Sequence, residues 1–346
     1  MSSSRIAVVC SARPSWAKLQ PVCEALTAAG QPFDLIACAY ATTHSRGGVI
    51  DMMRQDGYDP TVLHAAIDAN TLETSGLTTG LLLLRLTGYF AQTKPCGVVV
   101  NHDRHETIAA SIAAAFQNIP ILHLGGGEVS SSIDDKVRYA NTAFADWHAV
   151  SNEDAAARIR PLNANVHVTG CPSMDVARLS KLDAPVTLAE LDHYGTGADV
   201  DPERPFTLVM HHPVTTHHET ASTELIDAIT LAVSQDLNRP LIIFWPGADA
   251  GADDASKVLR QNAPWKEARL IRSLPPRRFL KLLSQCTLAV GNSSALIREG
   301  SYFGIPRIIT GDRQQGRAWS KEPSTLYGDG YAAPRIAELC QRILTP

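Results

Sequence analysis

The chain has 346 residues, which at about 100–200 residues per domain suggests two domains. Lys and Arg number 31 against 35 Asp and Glu, so the net charge of −4 excludes a broad nucleic-acid-binding surface, which needs a basic excess. The sequence shows no uncharged apolar stretch long enough for a membrane span, and its first apolar run is too short for a secretory signal. Seven cysteines are scattered singly, which predicts reduced thiols and a cytoplasmic location.

Alternating apolar strands and helical patterns predict an α/β fold in both halves. In the first half, we predict strands at residues 5–10, 33–38, 97–100, 119–122, 147–150 and 166–168, and helices at 16–29, 81–90, 107–116 and 133–144. In the second half, we predict strands at 206–210, 241–244, 268–271, 288–290 and 307–309, and helices at 222–234, 255–262, 277–283, 295–303 and 335–344.

A Pro- and Gly-rich stretch with few periodic apolar residues separates the two halves and predicts a linker at residues 181–205. Repeated strand–helix units favour parallel sheets with right-handed crossovers. We therefore expect two Rossmann-like doubly wound domains facing a cleft. The first would span residues 1–180 and the second residues 206–346. An alternative for the last helix is that it packs back on the first domain.

Polar loops follow several strands of the first half, at the sheet edge where open α/β sheets bind ligands. Arg13 precedes a helix start, where anions are favoured, although a solvated loop arginine is the simpler alternative. Six polar residues at 101–106 suit acid–base chemistry better than a lone helix cap at Asp103. Three glycines at 125–127 allow a close approach of backbone to ligand, but they do not form the pattern of a nicotinamide site. Asp134 opens a helix, where an acidic residue also has a purely structural role.

The second half offers a histidine cluster and two loops suited to a nucleotide. Four of the twelve histidines lie at 211–218, yet no cysteine or carboxylate accompanies them at a ligand spacing, so we expect no metal and no cofactor. Ser293 and Ser294 precede or open a helix whose free N–H groups suit a diphosphate, with an N-cap as the alternative. Glu299 is placed to accept from ribose hydroxyls, unless it is a solvated helix residue. Arg313 lies in a second polar loop at 311–317.

Taken together and in order, these stretches resemble the UDP-N-acetylglucosamine 2-epimerases, particularly the hydrolysing branch that releases N-acetylmannosamine and UDP. The resemblance covers about residues 5–317 and is carried by His102-Asp103-Arg104, Gly126-Gly127-Glu128-Val129, Ser132-Ile133-Asp134-Asp135, His212-Pro213-Val214-Thr215-Thr216, Gly291-Asn292-Ser293-Ser294 and Gly311-Asp312-Arg313-Gln314. It implies a GT-B-like fold in which the first domain lies on the sugar or acceptor side and the second binds the nucleotide. It also implies a nucleotide sugar such as UDP-N-acetylglucosamine as substrate, and no membrane or nucleic-acid partner. We also expect a homo-oligomer, with a homodimer as its simplest form.

The resemblance also implies a role for each site residue. Arg13 and Arg104 would contact the diphosphate together with Ser293 and Ser294, Glu299 would hold the ribose, and Arg313 would line the nucleotide pocket. Asp103 and Asp134 would be acid–base groups near the sugar, and His212 would lie near the leaving phosphate. His44 and Glu128 would be on the sugar side.

The chain departs from the family pattern on the sugar side. The usual catalytic acidic position is Gly125, the usual histidine two residues before the aspartate is Asn101, and the usual glycine between them is His102. Proton transfer would then fall to His102, which we favour, or to His105 or Glu128. Three functions stay open: hydrolytic 2-epimerisation through a glycal, transfer of the sugar to a nucleophile other than water, and nucleotide-sugar binding without catalysis.

Overall fold

The chain folds into two α/β units, and the computed structural model describes residues 5–44, 48–130, 132–247, 250–261 and 267–344. The first unit takes the described residues up to Glu128, Ile133–Asp175 and those from Tyr327 onward. The second takes a short stretch after Glu128 and Val176–Leu326. The chain therefore passes between the units inside a helix at Asp175, and its last helix belongs to the first unit.

Seven parallel strands form the sheet of the first unit, in the spatial order β3-β2-β1-β4-β5-β6-β7. They are β1 (Ile6–Cys10), β2 (Phe33–Cys38), β3 (Thr61–Leu63), β4 (Gly97–Asn101), β5 (Ile121–Leu124), β6 (Trp147–Val150) and β7 (Val166–Val168). The helices are α1 (Arg13–Ala28), α2 (Val49–Gln55), α3 (Leu72–Thr93), α4 (Ile108–Ala115), α5 (Ile133–Phe144), α6 (Glu153–Ile159), α7 (Ser173–Ser180), which carries the boundary, and α13 (Ala332–Leu344). The strand order reverses between β1 and β4, so the loops after these strands flank the crevice where doubly wound sheets bind ligands.

Strand β1 shows why the sheet is apolar throughout. Its residues Ile6, Val8 and Cys10 pack into a core shared with α1 and α13. The alternate residues Ala7 and Val9 pack into a second core with α3 and α4. Because side chains alternate between the two faces of a strand and helices cover both faces, a continuous apolar run is required.

Six strands form the sheet of the second unit, in the order β13-β12-β9-β10-β11-β8, and β8 alone is antiparallel to its neighbour. They are β8 (Gly195–Gly197), β9 (Thr207–Met210), β10 (Leu241–Phe244), β11 (Arg269–Ile271), β12 (Leu288–Gly291) and β13 (Arg307–Ile309). The helices are α8 (Leu188–Tyr194), α9 (Ala221–Gln235), α10 (Ala252–Gln261), α11 (Pro276–Gln285) and α12 (Ser294–Phe303). Here the order reverses between β9 and β12, so the loops after these two strands flank the crevice.

The stretch predicted as a linker, residues 181–205, contains a helix and a strand of the second unit. Thr187 caps α8 by accepting the N–H of Glu190, and Leu191 is buried. Strand β8 pairs with β11 in a register that sets Gly195 opposite Ile271. Two glycines in a three-residue strand carry no local strand signal, so this element depends on its neighbour.

Several predicted elements have the observed bounds, and others shift at their ends. Strands β2, β6, β7, β10 and β13 begin and end where predicted. Helix α3 begins at Leu72, well before the predicted residue 81. The predicted helix end at residue 262 lies outside the described residues.

The seven cysteines all lie in described parts of the chain and are free thiols. Burial raises the pKa of the Cys286 thiol to about 12, which keeps it protonated near neutral pH. In the described ranges, no helix is both long enough and apolar enough to cross a bilayer.

Candidate functional site

At the crevice of the first sheet, the last residue of β4 forms a hydrogen bond with the helix after β1. Asn101 ends β4, and its Nδ2 donates to the carbonyl of Ser15 in α1 at 3.4 Å. Arg13 is the first residue of α1 and is partly buried, and burial lowers the pKa of its guanidinium. Arg13, which the sequence predicts as a diphosphate contact, lies at the carboxyl edge of the sheet and at the start of helix α1.

A buried arginine that the sequence analysis did not single out gathers the acidic residues of this edge. Arg138 of α5 is 1% exposed and forms ion pairs with Asp103 and Asp135. Its Nη1 also donates to the carbonyl of Glu128 at 2.8 Å. Burial alone would lower the pKa of Arg138, but the charges of Asp103, Glu128 and Asp135 raise it. Arg138 thus fixes the position of Asp103 and balances part of the negative charge at the edge.

Arg104, the second predicted diphosphate contact, takes part in a neighbouring buried ion pair. Its Nε donates to Glu106 at 2.7 Å, and its guanidinium lies 5.6 Å from the ring centroid of Tyr40. The other oxygen of Glu106 is 3.3 Å from Nε2 of His105. Burial would raise the pKa of Glu106, but the charges of Arg104 and His105 hold it below its ordinary value. Glu106 thus positions the Arg104 guanidinium and also contacts the His105 ring.

His102 and Gly125 are in contact across the edge, although they are far apart in sequence. His102 has a left-handed backbone with φ of +58°, and Gly125 has φ of +75°. A Cβ added to Gly125 would lie 2.6 Å from Cδ2 and Nε2 of His102. The imidazole therefore fills the space into which any side chain at residue 125 would project.

The strained backbone of His102 is held by buried hydrogen bonds. Its carbonyl accepts from Nε2 of His123 at 2.9 Å and from Nδ2 of Asn141 at 3.2 Å. Burial lowers the pKa of His123 to about 4, so its ring is a neutral donor at physiological pH. A non-glycine residue in this conformation persists where its surroundings over-determine it, which is typical of functional sites.

The two remaining predictions in the first unit have different surroundings. Asp134 lies in the first turn of α5, next to Asp135, which pairs with Arg138. The side chain of His44 is 90% exposed and lies 3.6 Å from Asp51 of α2. Within the described residues, Asp51 is the acidic partner of His44, and it is not one of the carboxylates that pair with Arg138.

At the crevice of the second sheet, Asn292 joins the ends of β9 and β12. Its Oδ1 accepts the N–H of His212 at 2.7 Å, and its Nδ2 donates to the carbonyl of His212 at 2.8 Å. Nε2 of Gln314 donates to the carbonyl of Asn292 at 2.9 Å. Gly291 permits this close approach, because a Cβ there would lie 1.9 Å from the carbonyl oxygen of Met210.

A backbone N–H in this crevice determines the tautomer of the neutral His212 ring. Its Nδ1 accepts the N–H of Gly247 at 3.0 Å. In the neutral ring the proton is therefore on Nε2, which makes that nitrogen a donor suited to an anionic ligand.

The predicted nucleotide contacts cluster around helix α12. Ser293 is its N-cap, accepting the N–H of Ala295, and Ser294 accepts from Arg298 at 3.0 Å. Glu299 is 5% exposed, and its Oε2 accepts no hydrogen bond from any described residue.

The loop after β13 contributes two further groups to this crevice. Gln314 is 6% exposed, and its Oε1 likewise accepts no hydrogen bond within the described ranges. The charge of Arg313 acts on the pKa of the buried His211, which places these two residues near one another.

The histidine cluster does not converge on one point. His211 lies 3.1 Å from the Thr310 hydroxyl and 3.3 Å from Glu224, whereas His218 pairs with the adjacent Glu219. The described parts of the chain contain no group of three or more His, Cys, Asp or Glu arranged to hold a metal ion.

Sequence reasoning missed three positioning residues: Arg138, Asn292 and Gln314. Asn292 and Gln314 stand inside stretches that carried the resemblance, so the signal was present without a role. Arg138 follows Asp134 by four residues and Asp135 by three, the spacing of neighbours on a helix face.

The fold of this chain is similar to that of solved UDP-GlcNAc 2-epimerases. The fold is similar to that of UDP-GlcNAc 2-epimerase from Neisseria meningitidis bound to UDP-GlcNAc, with a TM-score of 0.76, 17% identity, and 98% of this chain and 100% of that chain covered. The Methanocaldococcus jannaschii UDP-GlcNAc 2-epimerase in complex with UDP-GlcNAc and UDP gives a TM-score of 0.77 at 15% identity, covering 98% and 99%. The fold is therefore that of the GT-B-like α/β epimerases.

The family follows from the sequence. The family described as UDP-N-acetylglucosamine 2-epimerase matches residues 33–322, and the chain belongs to this family of nucleotide-sugar epimerases. A Legionella pneumophila relative, UDP-N,N'-diacetylbacillosamine 2-epimerase (hydrolyzing), is 26% identical over 286 residues, covering 76% of this chain and 74% of the relative. The UDP-N-acetylglucosamine 2-epimerase of Neisseria meningitidis is 28% identical over 259 residues, covering 72% of this chain and 64% of its own length.

Proposed function

We propose that the protein cleaves the anomeric C–O bond of a nucleotide sugar and releases a nucleoside diphosphate, as a hydrolysing 2-epimerase. In the elimination, a base takes the proton from C2, the C2–H electron pair forms the C1=C2 bond, and the C1–O pair leaves with the diphosphate. Water then adds across the double bond, giving the hydroxyl to C1 and hydrogen to C2. No net oxidation occurs, so the reaction takes no redox cofactor.

The observation that carries this proposal is the pair of unsatisfied acceptors in the second crevice. Oε2 of Glu299 and Oε1 of Gln314 are buried and accept no hydrogen bond from the described residues. Leaving such groups unpaired costs about 1–3 kcal/mol each, and more when the group is charged. A ligand that presents donors would remove this cost, and ribose hydroxyls and base N–H groups are such donors.

The charged and hydrogen-bonding groups at the edge of each sheet, taken separately, support the proposed diphosphate and sugar roles. Arg13 and Arg104 supply positive charge in the first unit, and the Nε2 proton of His212, together with Ser293 and Ser294 at the start of α12, supplies donors in the second. Asp103, held by Arg138, and Asp134 are the carboxylates proposed for acid–base work, with Glu128 beside them.

The second candidate function is transfer of the sugar to a nucleophile other than water. Gly125 favours it, since this residue has no side chain to exchange a proton and substitution at C1 requires no proton removal from C2. Turnover of UDP-GlcNAc and UDP-N,N'-diacetylbacillosamine in deuterated water, followed by NMR, separates the two. Deuterium at C2 of the released sugar supports epimerisation, and UDP release without deuterium supports substitution.

The nucleotide assignment is tested by replacing Glu299 with Gln. Because the variant loses a charged acceptor for ribose hydroxyls, we expect UDP to bind at least about tenfold more weakly in calorimetry. Glu203→Gln, at an exposed glutamate of the same unit, is the matched control and should bind as the wild type does. Equal affinity of Glu299→Gln for UDP and GDP relative to the wild type would refute the assignment.

We also propose that the chain forms a homodimer through helix α3. Leu77, Leu81 and Leu84 are exposed, at 50%, 43% and 72%, and lie at alternating spacings of four and three residues on one face. Antiparallel pairing of two copies about residue 79 sets Leu77 of one copy against Leu81 of the other. The same symmetry sets Glu73 against Arg85, so the face is complementary to itself in charge.

A further inference from the structure

The geometry points to Nε2 of His102, whose ring fills the space beside Gly125, as the base that takes the proton from C2. This inference rests on the proposed function and specifies which residue of the first unit performs its first step. It is carried by three observations: the contact between residues 102 and 125, the hydrogen bond that sets the protonation of the ring, and the surroundings of the competing His105.

The first observation is that the two residues share one volume. A Cβ on Gly125 would lie within 2.6 Å of Cδ2 and Nε2 and 2.9 Å from Cε1 of His102. The chain can therefore carry a side chain at residue 125 or this imidazole, but not both in their present places. Gly125 and the His102 ring therefore depend on each other. The loop after β4 provides the functional group, and the loop after β5 provides the space for it.

The second observation concerns which ring nitrogen has the lone pair. Nδ1 of His102 lies 2.6 Å from Oδ1 of Asn101, and Nδ2 of Asn101 donates to the carbonyl of Ser15 at 3.4 Å. With its amide nitrogen directed to a carbonyl, Asn101 presents an acceptor to the ring, so Nδ1 carries the proton. Nε2, on the edge that faces Gly125, is then the basic nitrogen in the neutral ring.

The third observation is that the His105 ring contacts other groups of the first unit. Nε2 of His105 is 3.3 Å from the buried Glu106, and its ring packs edge-on against Tyr40 at 5.7 Å. His105 thus supports the Arg104 ion pair, whereas His102 lies beside the glycine-rich loop and next to Asp103. His102 is also 3% exposed, and exclusion of bulk water suits a transfer from a weak carbon acid.

The proposed step is balanced within the reaction above. Nε2 of His102 forms an N–H bond with the C2 proton while the C2–H pair becomes the double bond and the diphosphate leaves with the C1–O pair. The imidazolium then returns its proton to solvent. The hydrogen that reaches C2 during hydration comes from a second acid on the opposite face of the sugar, for which Asp134 is our candidate.

Kinetics in deuterated water with UDP-GlcNAc and UDP-N,N'-diacetylbacillosamine test this step. In His102→Gln the side chain fills part of the space but cannot take a proton, so we expect kcat to fall at least about tenfold with little change in KM or in UDP affinity. His193→Ala, at an exposed histidine of α8, is the control and should turn over normally. Wild-type turnover by His102→Gln, or a larger loss in His105→Ala, overturns the assignment.

A second variant tests the shared space, and a second measurement does not depend on turnover. We expect His102→Gly combined with Gly125→Glu to regain C2 deuteration that His102→Gly alone loses. In the wild type, the ¹⁵N shifts of the His102 ring should report a proton on Nδ1. A proton found on Nε2 in the neutral ring contradicts the inference even if neither probe is a substrate. Release of no diphosphate by the wild type from either probe would instead count against the proposed function itself.

Discussion

At the scale of single residues, the contact between Gly125 and His102 predicts a strong energetic coupling. Gly125→Ala adds a Cβ 2.6 Å from the His102 ring at a φ of +75°, a conformation that L-residues disfavour. We expect the free energy of unfolding to fall by about 2–4 kcal/mol, combining overpacking with backbone strain. Urea denaturation of the purified variant measures this loss.

The double variant separates the two causes. With His102→Gly the ring is gone, so adding Gly125→Ala should cost only the backbone strain, about 1–2 kcal/mol. If the two substitutions are additive, the residues do not share the space as described. Gly88→Ala serves as the unhindered control, because its added Cβ would have no described atom within 4 Å apart from its chain neighbours and its own helix backbone.

Only some features of the individual site residues can be predicted from the sequence. The missing side chain at Gly125 and the candidate His102 were both visible as residue types in polar loops. That the ring lies against Gly125 was not visible, because the contact joins loops of neighbouring strands and depends on a left-handed backbone at a histidine. The sequence does not single out Arg138, since an arginine in an amphipathic helix is ordinarily solvated, whereas here it is buried among carboxylates.

At the scale of elements, helix α3 predicts the oligomeric state. Leu81→Glu places a charge at the centre of the proposed antiparallel pairing, where it would be buried beside Leu77 of the second copy. We expect the wild type to sediment as a dimer at micromolar concentration and the variant as a monomer. Leu237→Glu, at another leucine that is 80% exposed, should stay dimeric. A monomeric wild type, or equal dissociation by both variants, contradicts the pairing.

Elements were predictable where local pattern and tertiary packing agree. Buried strands such as Leu241–Phe244 are short apolar runs between turn residues, and their bounds could be read directly. The start of α3 was missed, because glycines and threonines precede its leucines and weaken the helical pattern. The sequence predicts a linker where strand Gly195–Gly197 lies, because the strand conformation comes from pairing with Arg269–Ile271 and not from its own residues.

At the scale of the whole molecule, two buried histidines on neighbouring strands predict how global stability depends on pH. His123 and His148 face each other in register on β5 and β6, with ring centroids 6.3 Å apart. Burial lowers the pKa of each from 6.5 to about 4. The unfolded chain therefore binds more protons than the folded chain between these values, so stability falls as pH drops from about 6.5 towards 4 and is insensitive to these groups above that range.

Comparison of two proteins at two pH values measures how much stability the buried histidines lose on acidification. At pH 4.5, protonation of the unfolded chain should cost about 2–3 kcal/mol for each histidine. Other groups titrate in the same range, so the decisive comparison is between the wild type and His148→Leu. Neither ring nitrogen of His148 has a hydrogen-bond partner among the described residues, so leucine forfeits no such bond and should match the wild type near pH 7.5. Urea denaturation at both pH values should then show His148→Leu losing about 2–3 kcal/mol less than the wild type on acidification, and equal losses would place the acid sensitivity elsewhere in the molecule.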